Sequence, residues 1–294
     1  HDVNDKEGIR SNSIYSLLID DRGAVWVGHF QAGLDYSLYQ NGLFRTYDYP
    51  PLFNSANLSI RSFVNKGQEK VIGSRDGLFY INEATGVVKS FVKPVLTSDL
   101  ILTICFYQGE YYIGTYGGGM MVLNPETLSL KYFAQGDTEL FQKGHIFCVK
   151  PDAKGNLWIG TSQGLFSYNG QTKQIKSFTS ANSQLPEGNV YEVSFDSTGK
   201  GWIATETGMC IYDPASQSLR SNVFPEGFVN KDKVRTIYED AEHNLYFIRE
   251  KGSLFTSTLT MDRFQNRSIF STLPDNSLMS VIEDNQGWLW VACN

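Results

Sequence analysis

The sequence predicts an all-β fold, a seven-bladed β-propeller of four-stranded blades whose last blade is incomplete. A three-residue anchor, usually an aromatic residue, a β-branched residue and a small one, occurs seven times in the 294 residues. The first residues of successive anchors lie 45, 41, 46, 44, 44 and 44 positions apart. No segment shows helical periodicity. A repeat of about 44 residues is the size of one propeller blade.

Each repeat divides into four short strands joined by tight turns. In the first repeat, a strand ends at Asp20, a turn reaches Gly23, and the anchor Trp26–Gly28 forms the second strand. A further glycine, Gly33, precedes the third strand, and Leu43–Tyr47 forms the fourth. Asp caps such a turn with its side chain, and Gly adopts a positive φ. The other anchors begin at Val71, Tyr112, Trp158, Trp202, Tyr246 and Trp290.

The repeat also predicts how the core is built. One small sheet has two apolar faces, and neighbouring sheets around an axis bury both. The anchor side chains should therefore fill the space between blades. We expect core positions for all five tryptophans, Trp26, Trp158, Trp202, Trp288 and Trp290. The cysteines should be buried thiols of strands; they are Cys105, Cys148, Cys210 and Cys293.

The phase of the repeat predicts an incomplete seventh blade. Asn294 stands four residues after Trp290, so only two strands of that blade are expected. Their outer edge, near Trp290–Ala292, would be unpaired, and such an edge favours pairing with another chain. We expect one domain, residues 1–294, taken from a longer protein, and a homodimer as one consequence of the open edge.

Composition excludes several classes of protein. The net charge is −6, from 25 Lys and Arg against 31 Asp and Glu, which argues against nucleic-acid binding and against a basic membrane surface. The cysteines show no metal-ligand spacing, and no phosphate-binding or nucleophile motif is present. We expect no cofactor, no metal ion and no membrane contact by these residues.

The segment Ile14–Gly28, with Asp20-Asp21 before a glycine turn and Trp26-Val27-Gly28 as its end, resembles the repeat of the two-component regulator propeller family. The resemblance implies the extracytoplasmic, periplasmic sensor region of a bacterial hybrid histidine kinase anchored in the inner membrane. It also implies oligosaccharides derived from glycans as ligands, and other sensor domains of the parent chain as partners.

Candidate ligand-binding residues lie where the repeats differ. The Asp-containing turns are nearly uniform, whereas the loops after the anchors and the second residue of each first strand vary, and repeat proteins place function in such loops. Arginine can bind a carboxylate or sulfate with two hydrogen bonds, and aromatic rings stack on sugar faces. Exposed or inter-blade packing roles remain the alternative. The candidates are Tyr15, Arg61, Arg75, Tyr116, Tyr191, Arg235 and Arg249.

Three classes of function fit a propeller: a non-catalytic sensor, an enzyme such as a lyase or hydrolase, and a pure protein-interaction platform. Catalysis needs clustered acid and base groups. His29 and His145 fall in blades one and four, too far apart for a metal site or an acid–base pair. We therefore expect a non-catalytic binding module.

Overall fold

The computed structural model describes residues 8–37, 43–47, 58–133, 138–221, 224, 231–249, 253–260, 264–266 and 278–293. The first sheet consists of β1 (Ile14–Ile19), β2 (Val25–His29), β3 (Leu34–Ser37) and β4 (Phe44–Thr46). The second consists of β5 (Ile60–Lys66), β6 (Glu69–Ser74), β7 (Leu78–Asn82) and β8 (Val87–Phe91). The third consists of β9 (Ile101–Tyr107), β10 (Glu110–Thr115), β11 (Met120–Leu123) and β12 (Leu130–Tyr132).

The second half of the chain repeats this plan. The fourth sheet consists of β13 (Ile146–Pro151), β14 (Asn156–Thr161), β15 (Gly164–Asn169) and β16 (Ile175–Phe178). The fifth consists of β17 (Val190–Phe195), β18 (Gly201–Thr205), β19 (Gly208–Asp213) and β20 (Ser218–Arg220). The sixth consists of β21 (Val234–Glu239), β22 (Asn244–Arg249), β23 (Ser253–Thr258) and β24 (Phe264–Asn266). The seventh has β25 (Leu278–Glu283) and β26 (Leu289–Cys293).

The sheets form a propeller. Six of them have four antiparallel strands in sequence order, as the repeat predicts, and the described part of the seventh has two. The innermost strands β1, β5, β9, β13, β17, β21 and β25 contact one another in that order, and β25 also contacts β1. These strands therefore line a central axis, and each sheet lies between two neighbours.

The core consists of apolar clusters between adjacent sheets. Trp26 packs against Phe63 of the second sheet with ring centroids 6.1 Å apart, and Trp202 packs against Phe247 of the sixth at 5.8 Å. The predicted inter-blade role of these anchors is confirmed. The expectation is wrong for Trp288, which is 67% exposed because it lies in the turn before the anchor, two residues before Trp290.

The Asp of each turn binds the anchor as well as the turn. In the fifth sheet, Asp196 Oδ1 accepts the backbone N–H groups of Thr198 at 2.9 Å and Lys200 at 3.0 Å. Its Oδ2 accepts the indole N–H of Trp202 at 2.8 Å. The same indole bond joins Trp26 to Asp20, Trp158 to Asp152 and Trp290 to Asp284.

The first sheet has a polar cluster where its neighbours are apolar. Asp35 occupies the position at which Phe79 packs toward the preceding sheet. The Asp35 carboxylate is 2.9 Å from His29 Nε2 and accepts the Arg10 Nε–H, also at 2.9 Å. His29 and Asp35 are fully buried. On the same side of the ring, Phe44 and Trp290 bring the first and seventh sheets together at 5.8 Å.

One helix departs from the all-strand prediction. Helix α1, Thr138–Lys143, lies between β12 and β13. Its six residues are too few to show helical periodicity in the sequence. Leu140 and Phe141 anchor it in the core between the third and fourth sheets.

Candidate ligand-binding site

The second residue of each innermost strand is a β-bulge. In the first sheet, Ile14 pairs with His29 and Ser16 pairs with Gly28, so Tyr15 has no partner in the register. The same shift occurs in all seven sheets. Bulges re-aim a side chain out of the regular pattern. The bulged residues are Tyr15, Arg61, Leu102, Phe147, Tyr191, Arg235 and Met279, the variable position that the sequence identifies.

The innermost strands enclose a cavity of about 510 Å³ along the axis. Tyr15, Arg61 and Phe147 are among the bulged residues that line it, and we call the end of the cavity at these residues the channel mouth. Deeper in the cavity, Lys150 lies 3.6 Å from Glu192 of the next sheet. The Glu192 carboxylate raises the pKa of Lys150, and the Lys150 side chain remains 52% exposed.

The channel mouth beside the first and second sheets combines rings with a cation. The Arg61 guanidinium lies over the Tyr15 ring, 4.7 Å from its centroid. Tyr15 in turn meets Phe30 edge-on at 5.3 Å. Arg61 Nε is buried and has no hydrogen-bond partner among the described residues.

A continuous row of rings extends over the third, fourth and fifth sheets. Tyr116 stacks on His145 with centroids 4.0 Å apart and planes 25° apart. His145 lies 6.2 Å from Phe147, which lies 5.1 Å from Tyr191. We call Tyr116, His145, Phe147 and Tyr191 the aromatic arc. Tyr116 is 50% exposed, so the arc has a surface that a planar apolar face of a ligand can reach.

The arc ends in a polar group centred on Glu206. The Tyr191 hydroxyl donates to the Glu206 carboxylate, as does Asn189 Nδ2 at 3.2 Å. Lys233 Nζ lies 3.4 Å from the same carboxylate and 4.4 Å from the Tyr191 ring centroid. Partial burial tends to raise the pKa of Glu206, but the Tyr191 hydrogen bond and the Lys233 charge hold it below its usual value. This group fixes the Tyr191 ring.

The loop that carries Tyr116 is held in place before any ligand binds. The Tyr116 backbone N–H donates to Leu100 O at 3.0 Å, and Ser98 Oγ donates to Tyr116 O at 2.8 Å. Gly119 has a φ of 70°, and a Cβ there would overlap the carbonyl of Phe141 in α1. The short helix and the glycine therefore position the first ring of the arc.

The structure places the sequence-predicted residues in different surroundings. Tyr116 and Tyr191 belong to the arc, and Tyr15 and Arg61 meet at the channel mouth. Arg75 is exposed in the loop after β6, and Arg235 is half-buried at the bulge of the sixth sheet. Arg249 is only 8% exposed and pairs with Asp232, so we omit it from the site.

The sequence-predicted candidates did not include His145, Phe147 and Glu206, although Phe147 and Glu206 occupy variable positions of the repeat. A signal was present, because the bulge positions of the consecutive fourth and fifth repeats are both aromatic. His145 was considered only as a metal ligand or acid–base group. His29 lies in the first sheet and His145 in the loop before the fourth, and no metal-binding cluster of three or more His, Cys, Asp or Glu is found in the described part of the chain.

Three segments of the chain match a known protein family. The model of the two-component regulator propeller matches residues 8–31, 141–163 and 272–294. Three segments of the chain therefore match the repeat of that family. Each segment spans the first two strands of a sheet, in the first, fourth and seventh repeats. A comparison with curated protein sequences gives no match.

Solved structures share the fold. The extracellular domain of the putative hybrid two-component system BT4673 from B. thetaiotaomicron has a TM-score of 0.75 and 17% identity, with 97% of this chain and 37% of that chain covered. The corresponding domain of BT3049 from the same organism has a TM-score of 0.67 and 21% identity, with 100% of this chain and 45% of that chain covered. PorZ of the type-IX secretion system of Porphyromonas gingivalis has a TM-score of 0.75 and 13% identity, with 98% of this chain and 46% of that chain covered. This chain thus spans less than half of each two-component-system and PorZ structure.

Proposed function

We propose that this chain is a non-catalytic, ligand-binding part of the extracytoplasmic sensor of a hybrid two-component system, and that its ligand is a glycan-derived oligosaccharide. The family repeats support a sensor role. The aromatic arc is the observation that carries the ligand class, because pyranose rings present apolar C–H faces that stack on aromatic side chains. In a periplasmic parent chain, other sensor domains would be its partners.

The arc suits binding better than catalysis. Its four rings contact one another in sequence, and its carboxylate, Glu206, is already engaged by Tyr191, Asn189 and Lys233. A general acid or base must exchange a proton with the substrate. Glu206 instead holds the Tyr191 ring, which is a positioning role.

An oligosaccharide array tests the proposal. The purified chain should retain one or more oligosaccharides, and incubation with each retained sugar should release no cleavage product. Retention of no oligosaccharide would contradict the ligand class. Cleavage that His145→Ala abolishes would contradict the non-catalytic role and favour a propeller enzyme.

A further inference from the structure

The channel mouth beside the second sheet holds an arginine, Arg61, whose Nε–H has no hydrogen-bond partner among the described residues. The Arg61 guanidinium contacts the Tyr15 ring at 4.7 Å, and its Nε is buried without a hydrogen bond among the described residues. A cation–π contact leaves the in-plane N–H donors of a guanidinium free. A buried donor without a partner costs free energy, so the site favours an acceptor that these residues do not supply.

Four other cations of the chain have such an acceptor within the chain itself. Arg10 is paired with Asp35, Lys70 with Glu83, Lys233 with Glu206 and Arg249 with Asp232. Arg61 has no ion pair within the described ranges. The bulge directs its side chain to the channel mouth, where it contacts Tyr15 of the first sheet.

Two more arginines add positive charge to the same end of the propeller. Arg235 is the bulged residue of the sixth sheet. Arg75 belongs to the second sheet, where its backbone N–H donates to Ser59 O at 3.1 Å, just before the strand that carries Arg61. The whole chain has a net charge of −6, so the placement of three arginines at one end of the propeller is not a consequence of overall composition.

We infer that the channel mouth is an oxyanion subsite, in which Arg61 binds a carboxylate or sulfate-ester group of the ligand. Guanidinium groups bind both kinds of oxyanion through paired N–H donors. Phe147 connects this subsite to the arc, since it lines the cavity and also contacts Tyr191. The inference rests on the proposed function for the identity of the rest of the ligand, and it makes that ligand an acidic oligosaccharide.

Nuclear magnetic resonance of the arginine Nε–Hε groups tests the subsite without any sugar. The chain is titrated with sulfate and, separately, with acetate, each balanced by chloride to constant ionic strength. The variants are Arg61→Gln, Arg61→Lys and the control Arg45→Gln, which removes the same charge from an exposed position on β4. Melting temperatures confirm that the variants are folded.

A saturable shift of the Arg61 Nε–Hε signal is expected with at least one anion. The two Arg61 variants lack this signal, so their binding is followed through the backbone amide of residue 61. Arg61→Gln should weaken the binding by roughly tenfold to a hundredfold, the effect of losing a charged hydrogen bond. Arg61→Lys should weaken it less, and Arg45→Gln should leave it unchanged. The anion with the larger effect identifies the group as a sulfate ester or a carboxylate. Absence of a saturable shift with both anions, or equal losses in Arg61→Gln and Arg45→Gln, would overturn the inference.

A sugar arm separates this inference from the proposed function. A neutral oligosaccharide retained by the arc should bind Arg61→Gln as well as it binds the original chain, whereas its uronate or sulfated counterpart should lose its advantage. If the acidic form has no advantage in the original chain, the subsite inference fails and the sensor proposal stands. If no oligosaccharide binds and the anion shift is present, the sensor ligand is wrong and the subsite remains.

Discussion

The indole N–H of Trp202 donates to Asp196 at 2.8 Å, and this bond joins the turn of a repeat to its anchor. The same aspartate caps the turn through its other oxygen. In the first sheet, burial alone would raise the pKa of Asp20, but hydrogen bonds from Trp26 and from the backbone of Ala24 and Arg22 hold it below its usual value. Each such Asp–Trp pair fixes a turn relative to the inter-blade core.

Loss of this bond should destabilise the propeller. We expect Asp196→Ala to lower the free energy of unfolding by roughly 2–3 kcal/mol, because it leaves a buried indole N–H unsatisfied and removes the turn cap. A double-mutant cycle with Trp202→Phe should show a coupling of about 1 kcal/mol or more. Chemical denaturation measures both. Additive losses in the cycle would contradict the pairing of Asp196 with Trp202. The control is Asp76→Ala, which removes an aspartate from an exposed loop position.

The buried Asp35 should make stability depend on acid. Burial tends to raise the pKa of Asp35, but His29 and Arg10 hold it below its usual value of 3.8. Because the folded-state pKa is lowered, this stabilisation is complete above pH 3.8 and is lost as the pH falls through the folded-state pKa. The free energy of unfolding should therefore decrease as the pH drops below 3.8, and it should decrease less steeply in Asp35→Asn. The control Asp21→Asn, in an exposed turn, should leave this pH dependence unchanged. If Asp35→Asn also leaves it unchanged, the pairing of Asp35 with His29 and Arg10 is contradicted.

Backbone strain in one hairpin turn gives a reciprocal test. Gln217 has a φ of 52° between β19 and β20, and Gly86 has a φ of 70° at the corresponding position between β7 and β8. A left-handed conformation strains side chains other than glycine. Gln217→Gly should raise the free energy of unfolding by about 0.5–1 kcal/mol, and Gly86→Gln should lower it by about as much. Changes of the same sign would show that φ is not the cause.

Trp288 should be the most accessible indole of the chain. It is 67% exposed, whereas Trp26, Trp158 and Trp202 are buried. Acrylamide should quench part of the fluorescence of the folded protein, and Trp288→Phe should remove most of that quenchable part without lowering the melting temperature. Quenching that survives in Trp288→Phe would place the exposed indole elsewhere.

The sequence predicts the blades well because each repeat carries local signals for turn and anchor. Asp20, Gly23 and Trp26 mark a turn and a buried strand by their residue types alone. The bulges could not be predicted, since a bulge shifts the pairing by one residue and leaves the apolar pattern of the strand unchanged. Trp288 was placed in the core because residue type does not distinguish a turn position from an anchor two residues later.

The site was predictable in part. Tyr116 and Tyr191 stand out as aromatic residues at variable positions, but their connection needs His145 and Phe147, which come from a loop and a bulge of the intervening sheet. The polar cluster of the first sheet had a visible signal, because Asp35 stands where other repeats have Phe79 and Phe166. Its pairing with His29 and Arg10 depends on backbone positions that residue types do not give.

Isothermal titration calorimetry of the arc variants tests the central claim, that the aromatic arc binds an oligosaccharide. The best ligand from the array is titrated into the original chain, Tyr116→Ala and the control Tyr132→Ala, which removes a tyrosine of similar exposure, 47% against 50%, from the outer strand β12. Tyr116→Ala should weaken binding by about 1 kcal/mol, roughly fivefold to tenfold, and Tyr132→Ala should not. Equal affinities for the original chain and Tyr116→Ala, or a loss confined to Tyr132→Ala, would place the ligand elsewhere on the propeller.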